Sequence, residues 1–154
     1  MRILGVDYGD RRTGIAMSDP LGWTAQGLEA VVGDMCTAVD RVAELAALHQ
    51  AQAVVVGYPL NMNGTAGARA ERTDAFIAAL KGRINGAEPP ADTEGGPAAA
   101  AVIRWDERLT SVSAGRALRE AGIHPTSRKE REKGRLDILS AVILLQSYLD
   151  SRSK

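Results

Sequence analysis

Ala53-Val54-Val55-Val56-Gly57 is the stretch that most narrows the fold, because a short, continuously apolar, β-branched run suits a strand covered on both faces, as in a parallel sheet. Upstream of it, Asp34 is a good N-cap and Val39, Val42 and Ala46 recur at helical spacing, which predicts an amphipathic helix over 35–50. Downstream, Tyr58–Ala66 (YPLNMNGTA) reads as a loop with a Pro and an Asn-Gly turn signal. From about Ala68 the apolar positions Phe76, Leu80 and Ile84 mark a second helix.

The N-terminal third has a different rhythm. Residues 2–7 and Thr13–Ser18 read as strands, and Asp19-Pro20-Leu21-Gly22 has the residues of a tight turn. Thr24–Val32 returns as a third strand, completing an antiparallel meander. Beyond the second helix, residues 85–98 (NGAEPPADTEGGPA) hold no large apolar side chain and are expected to form a mobile surface insertion. They do not divide the chain, because the stretch C-terminal to them is too short to fold alone, so all 154 residues are expected in one domain. Ala100–Trp105 is a further strand, and Thr110 caps a helix that Gly122 ends. The last helix, Leu136–Leu149, carries Ile138, Leu139, Val142, Ile143, Leu144 and Leu145 all around its axis, which predicts a buried middle. The order βββαβαβαα predicts an α/β fold, a mixed sheet with helices on both faces.

Nineteen basic and nineteen acidic residues cancel, so a nucleic-acid partner must be held by a local patch and not by an overall field. A lone cysteine, Cys36, suits a reducing compartment and reads as a small apolar filler, and His49 and His124 alone argue against zinc. The start MRILGVD reaches an acid too early for a signal peptide, and no apolar run approaches a membrane span. A cytoplasmic location with no membrane partner is expected. Trp23 and Trp105 read as packing residues.

Three acids stand at places where acids need a reason. Asp7 ends the first strand, Glu107 follows the strand at 100–105, and Asp137 opens the apolar last helix. Ligands of open α/β sheets bind outside the carboxyl ends of parallel strands. If Asp137 packs nearby, three carboxylates share one edge and raise one another's pKa unless cations lie between them. Oxygen-only ligands favour Mg²⁺ or Mn²⁺. Taken singly, Asp7 could form a turn, Glu107 could pair with Arg104 or Arg108, and Asp137 could favour the positive end of its helix. Ser127–Arg135 (SRKEREKGR) holds five basic residues against two acids: Arg128, Lys129, Arg131, Lys133 and Arg135 are candidate phosphate contacts, or a solvated face. Arg11 and Arg12 follow Asp7, and Asn61 with Arg69 and Arg72 offers further donors on the same edge. Aromatics make up only 4% and do not interleave with the basic residues, so backbone- and shape-directed binding fits better than base stacking.

GVDYGDRRTGIA, VVVGYPLNMNGT, DERLTSVSA and KGRLDILSAVILLQSYL, in this order and at these spacings, resemble the YqgF family of RNase H-like proteins, Holliday-junction resolvases or pre-16S rRNA nucleases. The resemblance runs from residue 2 to about 150, and the 85–98 insertion falls between its motifs. It implies an RNase H-like fold with five strands in order 3-2-1-4-5, the second antiparallel to the rest, and an acidic metal site. The family's first-strand aspartate falls on Asp7, its DERL glutamate on Glu107, its last-helix aspartate on Asp137 and its first-motif arginine on Arg12. Asp106 also matches DERL, but alternation along the strand turns it away from Glu107. These three acids would hold two divalent ions about 3.5–4 Å apart for phosphodiester hydrolysis. The implied activity is a Mg²⁺- or Mn²⁺-dependent nuclease for the 5′ end of pre-16S rRNA, for Holliday junctions, or for both. A non-catalytic nucleic-acid-binding or ribosome-assembly factor on the same fold is the alternative. A junction resolvase cuts two symmetric strands, which calls for a homodimer. An actin-like phosphotransferase gripping ATP at Asp7-Tyr8-Gly9 needs a second domain, for which 154 residues leave no room.

Overall fold

The computed structural model describes residues 2–59, 67–86, 100–106 and 130–152, the last segment without the side chains of 130–133. Five strands form one sheet: β1 (Arg2–Asp7), β2 (Arg12–Ser18), β3 (Ala25–Val32), β4 (Ala51–Tyr58) and β5 (Ala101–Asp106). Their order is β3-β2-β1-β4-β5, with β2 antiparallel to both neighbours and β1, β4 and β5 parallel. This is the expected RNase H-like arrangement. The parallel strands end together, so Asp7, Tyr58 and Asp106 close the same edge of the sheet.

Helices α1 (Met35–Leu48) and α2 (Ala68–Asn85) cover one face, and α3 (Glu130–Arg152) covers the other. Helix α1 begins where the Asp34 carboxylate accepts the Thr37 N–H at 2.9 Å, which lowers the Asp34 pKa. Its buried stripe, Ala38, Val39, Val42, Leu45 and Ala46, meets Leu4, Val6, Ile15, Val54 and Val56 from the sheet and Phe76, Ile77 and Leu80 from α2. β4 is buried on both faces, as its apolar run requires: Val54 and Val56 face α1 and α2, while Ala53 and Val55 face α3.

The two faces are built differently. Under α1 and α2 the sheet presents large side chains. Under α3 it presents Gly5, Gly14, Ala16, Gly27 and Ala53, so the helix rests on backbone. A Cβ at Gly5 would stand 2.7 Å from the Leu145 Cβ, and one at Gly27 would strike the Ile138 side chain. Helix α3 is longer than the 136–149 expected, and its middle is not buried all round. Ala141, Leu144, Leu145 and Leu149 are buried, whereas Ile138, Leu139, Val142 and Ile143 are half-buried, because only one side of the helix meets the sheet.

Two packing expectations are corrected. Trp23 is 73% exposed at the β2–β3 turn, where Asp19 accepts the N–H groups of Leu21, Trp23 and Thr24 and fixes the loop outward. Cys36 is exposed on the first turn of α1, off the buried stripe. Trp105 does pack, edge-on against Tyr148 of α3 at 5.4 Å between ring centroids. No described helix is long and apolar enough to cross a membrane. The helix expected from Thr110 to Gly122 and all but the first two residues of the 85–98 insertion lie outside the described residues.

Candidate active site

Asp7 is the last residue of β1 and pairs across the ladder with Gly14 of β2. Alternation puts Ile3, Gly5 and Asp7 on the α3 face, since Ile3 and Gly5 pack against that helix. Gly14 and Ala16 share this face. A Cβ at Gly14 would overlap the Asp137 carbonyl oxygen and lie 2.9 Å from the Ile138 nitrogen. Directly paired residues have Cα atoms about 4.5–5.5 Å apart, so Asp7 and Asp137 stand on two sides of one glycine. The Asp137 backbone can rest on the ladder partner of Asp7 because β2 carries no side chain at Gly14.

Arg12 lies two residues before Gly14 on the same side of β2. Burial raises the pKa of Asp137, and the nearby Arg12 guanidinium opposes that rise without cancelling it. The corner therefore places the carboxylates of Asp7 and Asp137 and the Arg12 guanidinium around Gly14, with Asp137 partly desolvated. An all-oxygen donor set of this kind fits a hard divalent cation. Among the described residues no group of three metal-ligating side chains occurs. Glu107, the third expected acid, lies outside them.

The raised pKa means that the folded state holds the Asp137 proton more tightly than the unfolded chain does. Its contribution to stability is full below the unfolded carboxylate range and falls as the pH rises through the folded pKa. Asp137→Asn cannot ionise. It is expected to raise Tm by about 2 °C near pH 8 and to leave Tm unchanged near pH 3. Calorimetry across that range checks it, and a lowered Tm at the alkaline end counts against burial as the cause.

At the far side of the edge, Tyr58 donates from its hydroxyl to Asp74 of α2 at 2.7 Å, and Arg104 donates to the same carboxylate at 3.1 Å. Arg104 also lies 4.8 Å above the Tyr58 ring. This cluster ties the ends of β4 and β5 to α2. Asp106 pairs with Tyr58 and alternates with Val102 and Arg104, which places it on the α2 face, away from Asp7 and Asp137.

The expected phosphate contacts divide by position. Arg11 is exposed in the β1–β2 turn, its carbonyl accepting the Gly33 N–H at 3.0 Å. Arg135 is exposed two residues before Asp137 on α3. Arg69 is exposed on the first turn of α2, at a hollow beside the β1 end. Asn61, Arg128 and Lys129 lie outside the described residues, as do the side chains of Arg131 and Lys133. Reading the sequence missed Gly14, although an isolated glycine inside a strand is itself a signal of close backbone approach.

A family model described as "RuvX: Holliday junction resolvase" matches residues 1–151. The chain belongs to this family. The resemblance drawn from its four motifs is borne out, and the RuvX-family chain is a nuclease by class, a hydrolase acting on nucleic acid. A protein of Acetivibrio thermocellus named "Putative pre-16S rRNA nuclease" is 46% identical over 156 residues, which cover 100% of this chain and 99% of that one. One of Listeria monocytogenes with the same name is 46% identical over 154 residues, covering 98% and 99%. Among solved structures, Thermus thermophilus RuvC superposes with a TM-score of 0.57 at 15% identity, covering 99% of this chain and 96% of that one. Fowlpox virus resolvase, solved with Holliday junction DNA, gives 0.57 at 15%, with both chains covered in full. At that identity the two structures bear on the fold alone.

Proposed function

We propose that this RuvX-family chain is an endonuclease that processes the 5′ end of pre-16S rRNA in the bacterial cytoplasm, with Asp7, Glu107 and Asp137 holding Mg²⁺ or Mn²⁺. The observation that carries the reading is the convergence of Asp7 and Asp137 on Gly14, with Asp137 desolvated beside Arg12. Relatives 46% identical over nearly their whole length carry the name of that activity, which supports RNA as the substrate. When bound, divalent ions supply a water that is nucleophilic at neutral pH and charge stabilisation for the leaving oxygen. The carboxylates hold and space them. Arg12 offsets part of the cost of burying the Asp137 charge. Arg11, Arg12, Arg69 and Arg135, with Asn61, Arg128, Lys129, Arg131 and Lys133, contact backbone phosphates and orient the strand.

The family description favours a second substrate, the four-way DNA junction, and both belong in one assay. Purified protein is expected to cut a labelled pre-16S fragment more than about 10-fold faster than a labelled junction, and only with added Mg²⁺ or Mn²⁺; EDTA abolishes cutting. Glu107→Gln and Asp137→Asn each remove it. If neither substrate is cut but both are bound, the chain is a binding or assembly factor on a nuclease fold. Calorimetric metal titration of wild type and Asp7→Asn then decides whether a cation site exists.

A further inference from the structure

Directly after Asp7, the chain turns through Tyr8, Gly9 and Asp10, and this turn faces Arg69, Arg72 and Thr73 of α2 across a hollow of about 170 Å³. We propose that this hollow is a phosphate subsite, in which Arg69 and Arg72 take a backbone phosphate of the nucleic acid and the Asp10 carboxylate occupies Arg72 in the free protein. The inference rests on the nuclease reading and adds to it a second grip on the strand.

The size of the hollow decides the class of ligand. Small-molecule pockets span about 300–1,000 Å³, and this hollow is smaller and open to solvent; a phosphate with a few waters, each filling about 30 Å³, fits. Positions 69, 72 and 73 fall on one side of the helix. Thr73 is buried and its hydroxyl is already donated to the Arg69 carbonyl at 2.9 Å, which leaves the guanidiniums as the donors. Arg69 pairs with no carboxylate among the described residues. Tyr8 stacks on Phe76 at 4.5 Å between ring centroids, which gives the hollow an apolar wall. Gly9 keeps the turn tight, since a Cβ there would overlap the Arg12 carbonyl oxygen.

Arg72 donates to Asp10 at 2.6 Å, yet both side chains are more than half exposed. An exposed ion pair is weak, whereas an Arg–phosphate contact is charge-assisted and often bidentate, so phosphate can displace the carboxylate. Asp10 is three residues from Asp7, hence at most about 11 Å away along the chain. The hollow therefore adjoins the end of β1 that carries Asp7, and the phosphate it grips is a near neighbour of the one cut.

The test is fluorescence anisotropy without added divalent ion, using a labelled pre-16S stem with single-stranded flanks and a labelled four-way DNA junction, titrated between about 50 and 200 mM salt. Arg69→Ala and Arg72→Ala are each expected to weaken binding about 5-fold and to reduce the salt slope by about 0.7–0.9. Asp10→Asn is expected to tighten binding about 3-fold, a gain that misfolding cannot produce, and to have no effect in an Arg72→Ala background. Arg83→Ala and Asp40→Asn, which split an ion pair at the far end of α2, control for the change in net charge. The larger change tells whether RNA or DNA supplies the phosphate. The subsite is overturned if Arg72→Ala leaves the salt slope intact, or if Asp10→Asn tightens binding no more than Asp40→Asn does. Cleavage by wild type that persists through either result leaves the nuclease reading standing. Failure of wild type to bind or cut either substrate overturns both.

Discussion

Asp7→Asn is expected to slow cleavage at least about 1,000-fold while Tm stays within about 1 °C of wild type. Asparagine keeps the shape of aspartate and loses one unit of charge. Asp7 is half-buried at the open end of β1, where the ladder to Gly14 is made by backbone and the packing under α3 by Ile3 and Gly5. What is lost is a carboxylate at the one corner where a second, Asp137, is held against the same glycine. Single-turnover cleavage with calorimetry on the same preparation reads both quantities. Retained cleavage takes Asp7 off the catalytic list; a large fall in Tm gives it a structural part instead.

Gly14→Ala should fail differently, losing stability and activity together. The added methyl group meets the Asp137 carbonyl oxygen and the Ile138 nitrogen, which are backbone atoms and cannot swing aside as a side-chain tip could. The start of α3 must lift from the sheet. Overpacking of this kind costs about 1–3 kcal/mol, or about 5 °C in Tm for a domain of this size. A catalytic group displaced by about 1 Å can cost about 100-fold in rate. Gly14→Ala is therefore expected to lower Tm by about 5 °C and cleavage by about 100-fold, read by the same two measurements. Wild-type values for both would show that Asp137 does not need its seat on β2.

Together the two variants separate the charge at the corner from the geometry that assembles it. The Asp137→Asn result completes the set, since a variant that is more stable at alkaline pH and inactive is the signature of a carboxylate kept in an unfavourable place for use.

Much of the fold was legible because its signals are local. Asp34 and the stripe Val39, Val42 and Ala46 announce α1, and the continuous run at Ala53–Gly57 announces a strand covered twice over. Strand alternation even assigned Asp106 to the wrong face for the site. The failures share one cause. Trp23 carries the composition of a core residue, but three N–H groups bound by Asp19 hold its turn in solvent. The apolar residues around α3 promise burial on every side, and the sheet offers only one.

By itself the sequence determined the period of each element and, through its four motifs, which residue types sit at each strand end, because both are properties of neighbours along the chain. Only the tertiary structure decided that the Asp137 backbone lies on Gly14, the ladder partner of Asp7, and that Arg72 meets Asp10. Those meetings depend on how closely α3 and α2 approach the sheet, and that distance is set by side chains that are missing, at Gly5, Gly14 and Gly27, as much as by those present at Phe76 and Leu145.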